Sequence, residues 1–308
     1  MNKVIDICED WLSINEPGRE VYYVVYAYYA TKEAPVKEDE KGNFIPYSES
    51  VIPNKKLRIF YAPIDCNFSF PITSPVNSDT YHVLKEWASI ADGQIIMYLY
   101  DTNFSNYFVN FNNFSTVKSM YQTCKDYGVN YMYTQGAMDT CTPNLDEMRG
   151  FVESNIMWDL SQDYEELAKD FMEHYYRDAS EKLFEYYQTI KDQYAWYINN
   201  EEPGAGSIYG PVTNSKLWPV SLVRKLDKQI HDAFDIVKKY ETEDPTLYTK
   251  LYNRIMRQYL SVIYLKVALY RTYYSDEEIE EMRQQFMNYT AIFSCNAIAE
   301  GGDLSGLF

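Results

Sequence analysis

The chain has 308 residues, 46% of them hydrophobic, which is enough for a sizeable core and argues against disorder. Its formal net charge of -17, with no basic stripe, argues against a phosphate backbone as a partner, so nucleic acid is not expected. The cysteines (Cys8, Cys66, Cys124, Cys141, Cys295) form no CxxC pair. The three histidines (His82, His174, His231) lie far apart, so neither a metal nor another cofactor is expected.

Asn2–Ile14 carries Val4, Ile5, Cys8, Trp11 and Leu12 at helical spacing and ends at the breaker Pro17-Gly18. Val21–Tyr29 is almost continuously apolar and reads as a strand covered on both faces, as in parallel sheets. The polar stretch holding Pro35, Pro46 and Pro53 reads as a long loop. Leu57–Ile64, Gln94–Tyr100 and Gly128–Gly136 are three further strands, with helices over Ser78–Ala91 and Phe114–Tyr127 between them. The last three strands recur about every 35 residues, a βα spacing.

Beyond Gly136 the pattern is helical. Asn144 with Glu147, and Ser275 with Glu278, have the capping-box spacing. Leu167, Phe171 and Tyr175 recur every four residues, as do Leu222, Leu226, Ile230 and Phe234, and then Leu247, Leu251, Ile255 and Tyr259. The pattern leaves two architectures open for residues 1–143, a small open α/β sheet with helical cover or a half of a (β/α) barrel, each followed by a helical domain over 144–308. Four strands alone leave two open edges, and a complete barrel needs eight. The 32 tyrosines fit amphipathic helix edges and half-wet clefts.

Several segments, in order, resemble the bacterial glycoside-hydrolase-like family called domain of unknown function 4838. They are AYYATKEAP (Ala27–Pro35), IDCNFSFPI (Ile64–Ile72), YLYDTNFSNYFVNFNNF (Tyr98–Phe114), GVNYMYTQG (Gly128–Gly136), MRGFVESNIMWD (Met148–Asp159), DFMEHYYRDAS (Asp170–Ser180) and NAIAEGGDL (Asn296–Leu304). The resemblance implies a TIM barrel related to α-glucuronidase-type and hexosaminidase-type barrels, followed by helices. It also implies an earlier half-barrel upstream, with Met1 an internal start. Localisation is therefore left open, although MNKVIDICEDWL is no signal peptide and no apolar run reaches membrane-span length.

Glycosidases use two facing carboxyl groups, and in a barrel these sit at strand C-termini. Glu33, Asp65, Asp101 and Asp139 follow the four strands, and Asp65 with Asp101 is the preferred catalytic pair. Against the family pattern, Leu99 and Thr134 stand where acids are usual, Phe70 where a histidine is usual, and Asp65 where a glutamate is usual. Tyr28, Asn103, Asn106, Tyr107, Asn113 and Gln135 are the candidate sugar contacts: amides pair with hydroxyls and tyrosines stack on rings. The alternative for the Asn-rich loop is that it satisfies its own turns. Cys66 reads as a small buried residue.

Three readings stay open at this stage: a carbohydrate-active barrel, a non-catalytic glycan- or protein-binding relative, and a remnant that self-associates through open barrel edges. Little or no hydrolysis is expected from the chain by itself.

Overall fold

The computed structural model describes residues 1–138 and 140–308, and they divide into two compact units. The first holds residues 1–66, 70–100 and 119–135, and the second holds 67–69, 101–118 and 136–308.

The first unit is built on four parallel strands in the order β1 (Tyr23–Ala27), β4 (Leu57–Tyr61), β5 (Ile95–Tyr100), β6 (Tyr131–Gln135). Each is rich in β-branched or aromatic residues, which suit a pleated surface. Helices α1 (Asn2–Asn15), α2 (Ser78–Ile90) and α3 (Val117–Asp126) accompany them, with α3 entering this unit at Ser119. Alternate residues Leu57, Ile59, Tyr61, Ile95, Met97 and Leu99 are buried, together with Val83, Leu84 and Trp87 of α2 and Cys124 of α3. The Tyr61 hydroxyl ties β4 to α2 by donating to the Thr80 carbonyl at 3.0 Å.

The opposite face of the sheet is not covered as the apolar run of β1 predicts. Val24 and Tyr26 on β1, and Tyr131 and Tyr133 on β6, are exposed, while Arg58, Phe60, Ile96 and Tyr98 between them are half-buried. The stretch expected as a plain loop contains a short antiparallel hairpin, β2 (Val36–Glu38) with β3 (Phe44–Pro46). Asp39 accepts from the backbone N–H groups of Lys41 and Asn43, both at 2.8 Å. Gly42 in the same turn has φ +83°, which favours glycine.

The second unit is helical: α4 (Asp146–Trp158), α5 (Tyr164–Tyr176), α6 (Ser180–Asn200), α7 (Val220–Val237), α8 (Tyr240–Glu243), α9 (Pro245–Tyr270) and α10 (Asp276–Phe293). Asp163 caps α5 and Asp244 caps α9 through their side chains, and Ser275 with Glu278 forms the expected capping box on α10. Helix α9 is the central element, buried at almost every residue from Tyr259 to Val267. Asn144 does not cap α4, which starts after Leu145 without a side-chain cap. Its side chain turns elsewhere, to the Asp101 carbonyl at 2.8 Å and the Phe111 N–H at 2.7 Å.

Candidate functional site

Parallel sheets place ligands at the C-terminal ends of their strands, and the first unit has a pocket of about 210 Å³ there, just beyond β1 and β4. Tyr29, Lys32, Asp65, Ser78, Asp79 and Thr80 are among the residues that line it. The chain leaves β1 in a tight turn held by the Thr31 hydroxyl, which donates toward the carbonyls of Tyr26 and Tyr28 at 3.1 and 3.0 Å. Trp87 of α2 fixes the far side of that turn by donating its indole N–H to the Lys32 carbonyl at 2.7 Å.

Within this turn Tyr29 has φ +47°, a left-handed conformation that is rare and strained for a bulky side chain. Such strain costs on the order of 1–3 kcal/mol and gathers at ligand sites. The Tyr29 ring is exposed and meets Tyr28 edge-on at 4.2 Å. Lys32 Nζ lies 3.3 Å from Asp65 Oδ2, with the Asp65 side chain 72% exposed. The pocket therefore presents two carboxylates, one ammonium and an aromatic ring to solvent. Asp65 is the residue here that the sequence singles out. Tyr29, Lys32 and Asp79 escape notice because Tyr29 is identified by its backbone angle and Asp79 by its place at the start of α2.

Asp101 has a different setting, inside the second unit. Its carboxylate accepts from the Asn113 amide at 2.6 Å and is hydrogen-bonded to the carboxyl of Glu153, which projects from α4. Arg149, one turn earlier on α4, is buried. Its guanidinium donates to the Asn113 side-chain oxygen, to the Phe111 carbonyl and, at 2.9 Å, to the Asn144 carbonyl. It also stacks 4.0 Å over the Phe114 ring. Burial raises the Asp101 pKa, against the lowering effects of Glu153, Arg149 and Asn113. A hydrogen bond between two carboxyl groups needs a proton on one of them.

The remaining candidates fall into two groups. Asn103 is fully buried, its amide donating to the Ser207 and Gly210 carbonyls and its oxygen accepting from the Ser105 N–H. Asn106 donates to the Thr213 and Tyr264 hydroxyls at 2.7 and 2.6 Å and accepts from the Phe108 N–H. Tyr107 is buried, with its backbone N–H on the Ile298 carbonyl. These residues, with Asn113, fasten the 101–118 segment into the helical unit. Gln135 at the end of β6 accepts from the Tyr98 hydroxyl, and Tyr28 is half-buried beside Tyr29. Glu33 is exposed, and Asp139 lies outside the described residues.

Burial raises the Cys66 thiol pKa, with Cys124 adding to the effect, so Cys66 is no activated nucleophile. Each histidine faces an acid four residues away on its own helix: His82 with Glu86, His174 with Asp170, and His231 with Asp227. Among the described residues no group of three or more His, Cys, Asp or Glu can hold a metal ion, and no helix is long and apolar enough to cross a membrane.

Fold and pocket together define an α/β protein with a four-stranded parallel sheet joined to a helical region. The chain belongs to the family described as Domain of unknown function (DUF4838), which matches residues 20–188, more than half of its length. No curated protein and no solved structure matches the chain.

Proposed function

We propose that this chain is a glycoside-hydrolase-like, carbohydrate-binding protein whose sheet is part of a (β/α) barrel and whose sugar site is the pocket around Asp65. The observation that carries this reading is the strained Tyr29 at the mouth of a polar pocket on the C-terminal ends of parallel strands. Carboxylates accept from vicinal hydroxyls, an ammonium donates to them, and a tyrosine ring offers an apolar face to a pyranose. Asp65, Asp79, Lys32 and Tyr29 supply these groups.

The non-catalytic form of this reading is favoured over hydrolysis. Glycosidase carboxyls stand about 5 Å or roughly 6.5–9.5 Å apart so that the scissile bond fits between them. The carboxyl pair centred on Asp101 is in direct hydrogen-bond contact with Glu153, which leaves no such gap. Asp65 supplies recognition in this scheme.

Calorimetric titration with methyl glycosides of glucose, galactose, mannose, N-acetylglucosamine and glucuronic acid tests the proposal. At least one should bind, and Asp65→Asn should weaken it about tenfold or more, in keeping with the loss of a charge-assisted hydrogen bond. Binding of none of them, or binding unchanged in Asp65→Asn and Tyr29→Ala, would overturn it. Turnover of an aryl glycoside that Asp101→Asn abolishes would overturn the non-catalytic form.

A further inference from the structure

Cys141 and Cys295 are far apart in the sequence and side by side in the helical unit. The Cys141 N–H donates to the Ser294 carbonyl at 3.1 Å. Next along, the Asn296 N–H donates to the Thr140 hydroxyl oxygen at 2.8 Å. The end of α10 fixes the second of these segments. Ser294 takes φ +58°, and the Cys295 N–H turns back to the Thr290 carbonyl at 2.9 Å, a helix-ending turn that holds the backbone in place.

With backbone bonds of about 1.2–1.5 Å on each side of the Cys141–Ser294 hydrogen bond, the Cα atoms of Cys141 and Cys295 stand roughly 5–7 Å apart. Disulfides span about 4.4–6.8 Å between Cα atoms. The two cysteines are thus placed for a bond that the structure, with both as free thiols, does not yet contain.

The thiols also share a charged neighbour. Arg257 of α9 is anchored by donating to the Thr142 carbonyl at 2.9 Å and to the carboxylates of Glu147 and Asp146. Its charge acts on both sulfurs. Burial lifts the Cys295 thiol to about 12, Arg257 opposes that lift, and Cys141, Asp146 and Glu147 add to it. Cys295 is enclosed and Cys141 is half-buried, so a reagent from solvent meets Cys141 first.

We propose that Cys141 and Cys295 form a redox pair, closed into an intrachain disulfide by a low-molecular-weight disulfide such as oxidised glutathione. The Cys141 thiolate attacks one sulfur of the small disulfide. An S–S bond forms at Cys141, and one small thiolate leaves and takes up the proton that Cys141 gave to solvent. Cys295 then loses its proton and attacks the Cys141 sulfur. The Cys141–Cys295 bond forms, and the second small thiolate leaves and takes up that proton. Two protein thiols are oxidised by two electrons, and the small disulfide is reduced to two thiols. Arg257 stabilises the thiolate in each step, and the enclosure of Cys295 makes the second step the slower one. The finished link joins the end of α10 to the segment that precedes α4. It closes a loop of about 150 residues, which restricts the unfolded chain strongly.

The test is to incubate the full reduced chain with oxidised glutathione at mildly alkaline pH. Free thiols are then alkylated, and the peptides are mapped without reduction by mass spectrometry. A linked Cys141–Cys295 peptide is expected, lighter by about 2 Da than its two parts because two hydrogens are lost. The linked chain should melt a few degrees or more above the reduced one, and reduction should restore the lower value. A glutathione adduct that persists on Cys141 while Cys295 stays free would overturn the proposal. So would two thiols left free, or a linked chain that melts below the reduced one.

Cys141→Ser should remove the link and leave Cys295 unmodified by glutathione, whereas modification of Cys295 in that variant as fast as in the unaltered chain would refute the order of attack. Should the variant lose its fold, the peptide map of the unaltered chain still decides. Neither cysteine lines the Asp65 pocket, so failure of this pair leaves the sugar-binding result standing, and the reverse holds too.

Discussion

The Arg149 guanidinium donates to the side-chain oxygen of Asn113, and the amide of the same Asn113 donates to the Asp101 carboxylate at 2.6 Å. One buried arginine therefore holds the 101–118 segment to α4 by side-chain and backbone bonds together. Replacing it with methionine would leave the Phe111 and Asn144 carbonyls short of a donor and would remove the cation beside Asp101. Arg149→Met should destabilise the fold by about 1–3 kcal/mol for each buried acceptor left without its donor. Urea denaturation followed by circular dichroism measures it. Arg149→Lys should recover less than half of the loss, because an ammonium lacks the planar fork that reaches several acceptors. Full recovery with lysine would show that charge alone matters here.

Asp101 also makes stability depend on pH. Its pKa in the folded chain lies above its ordinary value of 3.8, chiefly through burial, and the groups facing it are Glu153, Arg149, Asn113 and Asp146. The native state therefore binds this proton more tightly than the unfolded state does. That contribution is complete below about pH 4 and is lost as pH rises through the raised value. Asn mimics the protonated acid, so Asp101→Asn should match the unaltered protein near pH 4 and exceed it in stability near pH 7. Asp146, raised in the same direction by burial, remains in the variant and keeps part of the slope. Denaturation curves at several pH values settle the comparison, and a variant less stable at neutral pH would refute the assignment.

How much of this was legible in the sequence depended on distance along the chain. The four strands show as apolar, β-branched runs, and the α10 capping box shows as Ser275 three residues before Glu278, because both signals are local. The β2–β3 hairpin hides in two three-residue strands, the first preceded by Pro35 and the second ending on Pro46. In the Asn-rich loop the side-chain oxygens accept locally, Asn103 from Ser105 and Asn106 from Phe108, which is the turn chemistry the composition announces. The amide donors reach partners more than a hundred residues away, and no spacing rule encodes those. Asn144 fits a cap by spacing, yet its side chain bonds Asp101 and Phe111. An Asn followed three residues later by Glu is compatible with either outcome.

Those long-range donors lead to a prediction about Asn106. Its amide joins the Thr213 and Tyr264 hydroxyls in the interior. Asn106→Leu leaves these hydroxyls and the Phe108 N–H without a partner, at a cost of about 1–3 kcal/mol. Calorimetric sugar binding by the variant, measured well below its melting temperature, should be unchanged. A variant of normal stability that no longer binds sugar would place Asn106 at the ligand after all.

Thiol labelling gives a test of burial that needs no mutation. Cys8 and Cys141 are half-buried, whereas Cys66, Cys124 and Cys295 are buried. Burial also holds the Cys124 and Cys295 thiols up at about 12, so little thiolate forms at neutral pH. A small alkylating reagent should modify Cys8 and Cys141 in the native chain, and all five cysteines in urea. Rapid native labelling of Cys66 would contradict its enclosure.

Asp65 separates function from fold most sharply. Its partner Lys32 lies 3.3 Å away with both side chains substantially exposed, and exposed pairs of this kind contribute under about 1 kcal/mol. Asp65→Asn should therefore melt within a few degrees of the unaltered chain, since a change of that size moves Tm only slightly in a protein this long. If the pocket binds sugar, the same substitution should remove a charged acceptor and weaken binding while the fold stands. Adding salt offers an independent check. Screening erodes the remaining Lys32–Asp65 attraction in the unaltered protein, so the small stability difference between the two proteins should shrink further as salt rises. A large, salt-insensitive loss of stability would instead make Asp65 a structural residue and take away the carboxylate on which the sugar site depends.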